Sequence, residues 1–121
     1  MAGGSSILLV EDDPSLRMLC RVSLELEHFE VRDAATLADA RAAIEDDRPA
    51  LVFLDLHLGA DESDGLLDSL HDGGIPVVVV SGEPDNGQFA GRADDVIEKP
   101  FLPDDLIAAA RRFVRANVSH P

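Results

Sequence analysis

Glu11, Asp12 and Asp13 follow directly on the apolar run 7–10, Asp55 follows 51–54, Ser81 follows 75–80, and Lys99 lies just beyond Val96 and Ile97. If each run is a strand of one sheet, these side chains meet at one edge. Carboxylates held a few ångströms apart repel one another unless a hard cation neutralises them. Magnesium suits such a set, because it prefers oxygen ligands at about 2.0–2.1 Å, keeps several waters and leaves positions for phosphate oxygens. A lysine opposite Asp55 can pair with the carboxylate and then with a phosphoryl oxygen, and a hydroxyl at Ser81 can donate to another. Each residue also has a plainer reading. Asp13, directly before Pro14, reads as a helix cap, Lys99 alone reads as a surface charge, and Ser81-Gly82 reads as a turn. The plain reading is poor for Glu11, Asp12 and Asp55 together, because an unpaired carboxylate at the end of an apolar strand is costly.

The elements that would position these residues follow from periodicity. The runs 7–10, 51–54 and 75–80 have the length and uniform apolarity of buried strands, whereas 29–33 alternates and Val96-Ile97 is short and flanked by acids, as edge strands are. Between them, Leu16, Leu19, Cys20 and Leu24 recur at helical spacing from Pro14 to about His28. Thr36 caps a helix bearing Leu37, Ala40 and Ile44. A loop 56–63 leads to a short helix with Leu66, Leu67 and Leu70, and Pro103 opens a last helix whose face is Leu106, Ile107, Ala110, Phe113 and Val114. Cys20, lying in that apolar pattern, reads as core rather than as a reactive thiol. Alternation of strand and helix predicts an α/β fold with a five-stranded parallel, flavodoxin-like sheet of order 2-1-3-4-5, whose ligands sit beyond the carboxyl ends of the strands. The stretch 82–94 is rich in Gly, Pro and Asp, so the fourth helix, between the last two strands, is expected to be short or absent.

At 121 residues and 45% hydrophobic content the chain suits one domain. Residues 1–6 read as a flexible tail and 7–118 as the domain, with no separate output domain. The apolar runs are far shorter than the roughly 20 residues that span a bilayer, and no basic-then-apolar leader precedes them, which predicts a cytoplasmic protein without membrane insertion. A formal net charge of -14 opposes direct binding of nucleic acid.

The segments Ile7-Leu-Leu-Val-Glu-Asp-Asp-Pro14, Leu51-Val-Phe-Leu-Asp-Leu56, Val77 to Ser81-Gly82 and Glu98-Lys-Pro-Phe101, in this order and spacing, resemble response-regulator receiver domains of two-component signalling over almost the whole chain. The resemblance implies that Asp55 accepts a phosphoryl group, that Asp12 is the main magnesium ligand, that Glu11 binds the ion through water, and that the His57 backbone carbonyl is a further ligand. It also implies that Lys99 and Ser81 bind the phosphoryl group and that the Lys99–Pro100 peptide is cis. The implied protein is a signalling phosphoacceptor rather than an enzyme. It would be phosphorylated by a histidine kinase or histidine phosphotransfer protein and would assist its own dephosphorylation, with a downstream protein as target.

The chain departs from the family pattern in three places: a third loop longer by about two residues, a short 81–99 segment, and Val96 where an aromatic residue often switches. These features are similar to a group of short, single-domain alphaproteobacterial receivers with a degenerate fourth helix. A flavin-binding flavodoxin would share the sheet but needs an N–H-rich, uncharged first loop, which Glu11-Asp12-Asp13 is not. A haloacid-dehalogenase-type phosphatase would place an acid where His57 stands. The alternative closest in kind is a pseudo-receiver that acts only as a protein-interaction module, against which the complete acid, hydroxyl and lysine set argues.

Overall fold

The computed structural model describes residues 6–55, 60–82, 89 and 91–114, with side chains in the third helix described from Gly65 onward, and among these residues it forms nine elements. They are β1 (Ser6–Val10), α1 (Pro14–Leu26), β2 (Glu30–Ala34), α2 (Leu37–Asp46), β3 (Leu51–Asp55), α3 (Ala60–Asp72), β4 (Val77–Ser81), β5 (Asp95–Glu98) and α4 (Pro103–Phe113). All strand pairs are parallel and the order is β2-β1-β3-β4-β5, as expected. Every residue of β1, β3 and β4 is buried, whereas β2 and β5 carry partly and fully exposed residues. Central strands covered by helices on both faces are apolar along their length, with the polar Ser6, Asp55 and Ser81 only at their ends, whereas edge strands take polar residues throughout.

The sheet divides the core in two. On one face, Ile7, Leu9, Leu51, Phe53, Val78 and Val80 pack against Cys20 and Leu24 of α1 and Leu106, Ile107 and Ala110 of α4. On the other, Leu8, Val10, Val52, Leu54, Val77 and Val79 pack against Leu37 and Ala40 of α2 and Leu66, Leu67 and Leu70 of α3. The alternation along each strand gives both faces a share of the same short runs. Cys20 is a core residue, as its helical spacing predicted.

The helix starts follow the sequence closely. Asp13 caps α1, its side chain accepting from the Ser15 and Leu16 N–H groups, with Pro14 in the first turn. Thr36 caps α2 by accepting from Asp39 N–H at 3.1 Å. Pro103 stands in the first turn of α4, where the Asp105 carboxylate accepts from the Leu102 N–H at 2.8 Å. Several boundaries differ from expectation: β4 covers Val77–Ser81 rather than 75–80, and α1 ends at Leu26 rather than near His28. Ser6 belongs to β1, buried and paired with Glu30, rather than to a tail. Helix α3 begins at Ala60, several residues before the expected start near Asp64. Ala followed by acids suits a helix N-terminus, which favours negative charge, and Gly65 is tolerated inside the helix.

Between β4 and β5 none of the described residues is helical, in keeping with a fourth helix that is short or absent. Phe89 is buried in the core, its carbonyl accepts from Arg92 and Ala93 N–H, and Arg92 pairs with Asp68 of α3 at 3.2 Å. The expected tail 1–5, the His57 carbonyl and residues 115–118 lie outside the described residues.

Candidate functional site

Strand register brings the candidate residues together. Val10 pairs with Leu54, which sets Glu11 beside Asp55; Asp55 lies opposite Val80, one residue before Ser81; and Ser81 lies opposite Glu98, one residue before Lys99. The Lys99 N–H donates to the Ser81 carbonyl at 2.7 Å, which extends the ladder one step past β5 and fixes where the Lys99 side chain leaves the backbone.

Glu11, Asp55 and Ser81 are buried polar residues, and Asp12 is exposed. One oxygen from each of Glu11, Asp12 and Asp55 falls within a cluster no more than 4.8 Å across. The Lys99 ammonium donates to Asp55 Oδ2 at 2.9 Å. Burial raises the Glu11 pKa, contact with Asp55 raises it further, and a hydrogen bond from the Asp13 N–H to Glu11 Oε2 at 3.0 Å only partly offsets this, leaving it at about 8. Three carboxylates this close carry more negative charge than the Lys99 ammonium offsets. An oxygen-binding divalent cation fits this donor set.

Among the described residues, Glu11, Asp12, Asp55, Ser81 and Lys99 therefore stand at one sheet edge. The Lys99–Pro100 peptide is cis, as the resemblance implied. Asp13 is turned to the α1 cap, the plainer of its two readings. Sequence reasoning missed Arg17. Its Nη1 donates to the Glu11 carbonyl at 2.9 Å and its Nε lies 3.8 Å from Asp33 Oδ2. The only sequence signal is a cation one turn into the helix that follows the acidic loop, which is too common a feature to read.

Beside the site, Leu16, Leu19 and Cys20 of α1 face Phe101, Pro103 and Leu106 across an apolar groove of ≈ 400 Å³ that reaches Lys99 and Gly82. Leu19 is exposed there, while burial pushes the Cys20 thiol up to about 11, with the charge of Glu11 adding to it.

A parallel sheet of this order with an acid cluster and a lysine at its carboxyl edge defines the architecture of a signalling receiver, and the family model for the response regulator receiver domain matches residues 7–111. The chain belongs to that family. It is 36% identical to the DNA-binding response regulator MtrA of Mycolicibacterium smegmatis over 95% of its own length and 53% of the relative's. It is 34% identical to the phosphate regulon transcriptional regulatory protein PhoB of Pseudomonas aeruginosa, covering 93% and 52%. The chain thus spans about half the length of these curated relatives. Among solved structures it is similar to the receiver domain of NtrX from Brucella abortus, with 35% identity, a TM-score of 0.78 and coverage of 90% and 98%. It is also similar to a CheY-like receiver domain from Methanospirillum hungatei, with 30% identity, a TM-score of 0.79 and coverage of 89% and 91%.

Proposed function

We propose that this receiver domain accepts a phosphoryl group onto Asp55 from a phosphohistidine of a histidine kinase or histidine phosphotransfer protein, with magnesium held by Glu11, Asp12 and Asp55. The observation that carries the reading is the meeting of the three carboxylates with Lys99 on Asp55 at 2.9 Å. A carboxylate oxygen of Asp55 attacks phosphorus, the bond from phosphorus to the imidazole nitrogen breaks, and the imidazole leaves with the electron pair. No general base is required, because the attacking group is an ionised carboxylate. Lys99 holds that carboxylate in place and passes to a phosphoryl oxygen as negative charge moves outward, and Ser81, at the neighbouring strand end, donates to another. Magnesium, when bound, neutralises charge on the phosphoryl oxygens. The His57 backbone carbonyl completes the proposed ligands. Hydrolysis of the resulting acyl phosphate at the same site would make the domain a timed switch that changes a protein-binding surface.

The apolar groove beside Lys99 supports a protein donor, since a small phosphodonor needs no such surface. The net charge of -14 argues against direct nucleic-acid contact by this domain. No helix among the described residues is long and apolar enough to cross a membrane, and a cytoplasmic setting is part of the proposal. Incubation with acetyl phosphate and magnesium, followed by intact-mass measurement, tests the reading. We expect one magnesium-dependent phosphoryl adduct in the wild type, none in Asp55→Asn, and a greatly reduced yield in Lys99→Met. An adduct that survives in Asp55→Asn rejects the assignment. A wild type that neither the small donor nor a histidine kinase phosphorylates favours a pure interaction module.

A further inference from the structure

We propose that Arg17 is a positioning residue that holds the acidic loop in the geometry in which Glu11 and Asp12 receive magnesium; this rests on the magnesium-assisted reading above. Three successive acids leave β1 and repel one another, and the local bonds of Asp13, from its N–H to Glu11 and from the start of α1 to its carboxylate, leave the Glu11 carbonyl to be held from elsewhere. The structure supplies the restraint from behind. Arg17 Nη1 donates to the Glu11 carbonyl at 2.9 Å, six residues back along the chain, while Nε lies 3.8 Å from Asp33 Oδ2 at the end of β2. Asp33 is in turn held by Arg21 Nη1 at 3.1 Å, and Arg21 is braced by Glu25 one turn further along α1. The two contacts leave from different nitrogens of a rigid planar fork, whereas a lysine ammonium is a compact point charge on a flexible stem and does not reproduce that spacing.

The clasp joins α1, β2 and the acidic loop at the residue that also gives its N–H to Ala34. Arg17 and Asp33 are only partly exposed, with side chains 23% and 29% accessible. That protects the contact from the screening that weakens surface ion pairs. Among the described residues, Lys99 and Arg17 thus divide the work. Lys99 enters the pocket and pairs with Asp55, whereas Arg17 meets the loop through a backbone carbonyl and leaves the carboxylates to the ion.

Loss of the clasp and loss of a nearby positive charge predict opposite signs. If Arg17 only adds positive charge, Arg17→Met should bind magnesium more tightly. If it positions the loop, Arg17→Met should bind about tenfold more weakly, the scale on which partners that orient metal ligands usually act. Arg17→Lys keeps the charge but loses the fixed fork that reaches both acceptors from separate nitrogens, so it should fall between Arg17→Met and the wild type. The measurement is magnesium affinity by isothermal titration calorimetry on the three folded proteins, with melting temperatures in chelator recorded beside it. Unchanged or tighter binding in Arg17→Met, whatever its melting temperature, overturns the proposal. Should Arg17→Met not fold, Arg17→Lys decides: weaker binding at unchanged charge supports positioning, and wild-type affinity overturns it. A wild type that binds no magnesium overturns the magnesium reading itself.

Discussion

Glu11 is buried against Asp55, and its pKa of about 8 gives the metal-free domain an unusual response to pH. In the unfolded chain this carboxyl ionises near 4.5, so between about pH 4.5 and 8 the folded state holds a proton that the unfolded state has released. Stability from this group is therefore present at low pH and lost as pH rises toward 8, the reverse of a salt-bridged carboxylate. We expect metal-free Glu11→Gln to lack this slope and to exceed the wild type near pH 8 by about 1–3 kcal/mol, read by urea denaturation in chelator. Parallel pH profiles in the two proteins would contradict it. The convergence of Glu11, Asp12, Asp55, Ser81 and Lys99 was legible because each stands at or near the end of an apolar run whose register the sheet then fixes. Arg17 was not legible, because a side chain that binds a backbone carbonyl leaves no pattern of residue types.

Helices α1 and α3 end in the same way, and the difference between them can be tested. After α3, Gly74 adopts φ 73°, and the Ile75 N–H reaches back to the Leu70 carbonyl. After α1, His28 adopts φ 71°, and the Phe29 N–H reaches back to the Leu24 carbonyl. Glycine takes this left-handed conformation without strain, and a side chain does not. His28→Gly should therefore stabilise the domain by about 1 kcal/mol, and Gly74→Ala should destabilise it by a similar amount, as thermal or urea unfolding would show. Equal, small effects of both would contradict the account. Gly73-Gly74 announced its stop in the sequence, whereas Leu24 to Phe29 did not, because histidine is no stop signal. The early start of α3 was missed because 56–63 reads as a loop, and helix packing through Leu66, Leu67 and Leu70 overrode that local preference.

At the scale of the whole molecule, a charge of -14 and an acid cluster with two of its three members buried place self-repulsion against the packing of two apolar faces. A cation that binds only the folded state offsets that repulsion by mass action. At magnesium 100-fold above its dissociation constant the gain is about 2.7 kcal/mol. Asp12→Asn should be more stable than the wild type without metal and should lose most of this gain in a thermal-shift titration. An equal magnesium response in mutant and wild type would place the ion elsewhere. The sheet order was readable from the contrast of uniform and alternating runs, since burial on both faces leaves that mark on composition. The direction of Arg17 and the anchoring of Phe89 depend on residues distant in sequence and emerge only when the layers are packed.

The central claim is that the phosphoryl group resides on Asp55 as an acyl phosphate. Borohydride reduces an acyl phosphate at its carboxyl carbon and leaves a homoserine in place of the aspartate, while free carboxylates are untouched. The domain should be incubated with acetyl phosphate and magnesium, treated with borohydride, digested and sequenced by mass spectrometry. The account predicts homoserine at position 55 alone, dependent on magnesium and absent in Asp55→Asn. Conversion at Asp12 or another acid, or an adduct of undiminished yield that leaves position 55 as aspartate, would contradict it.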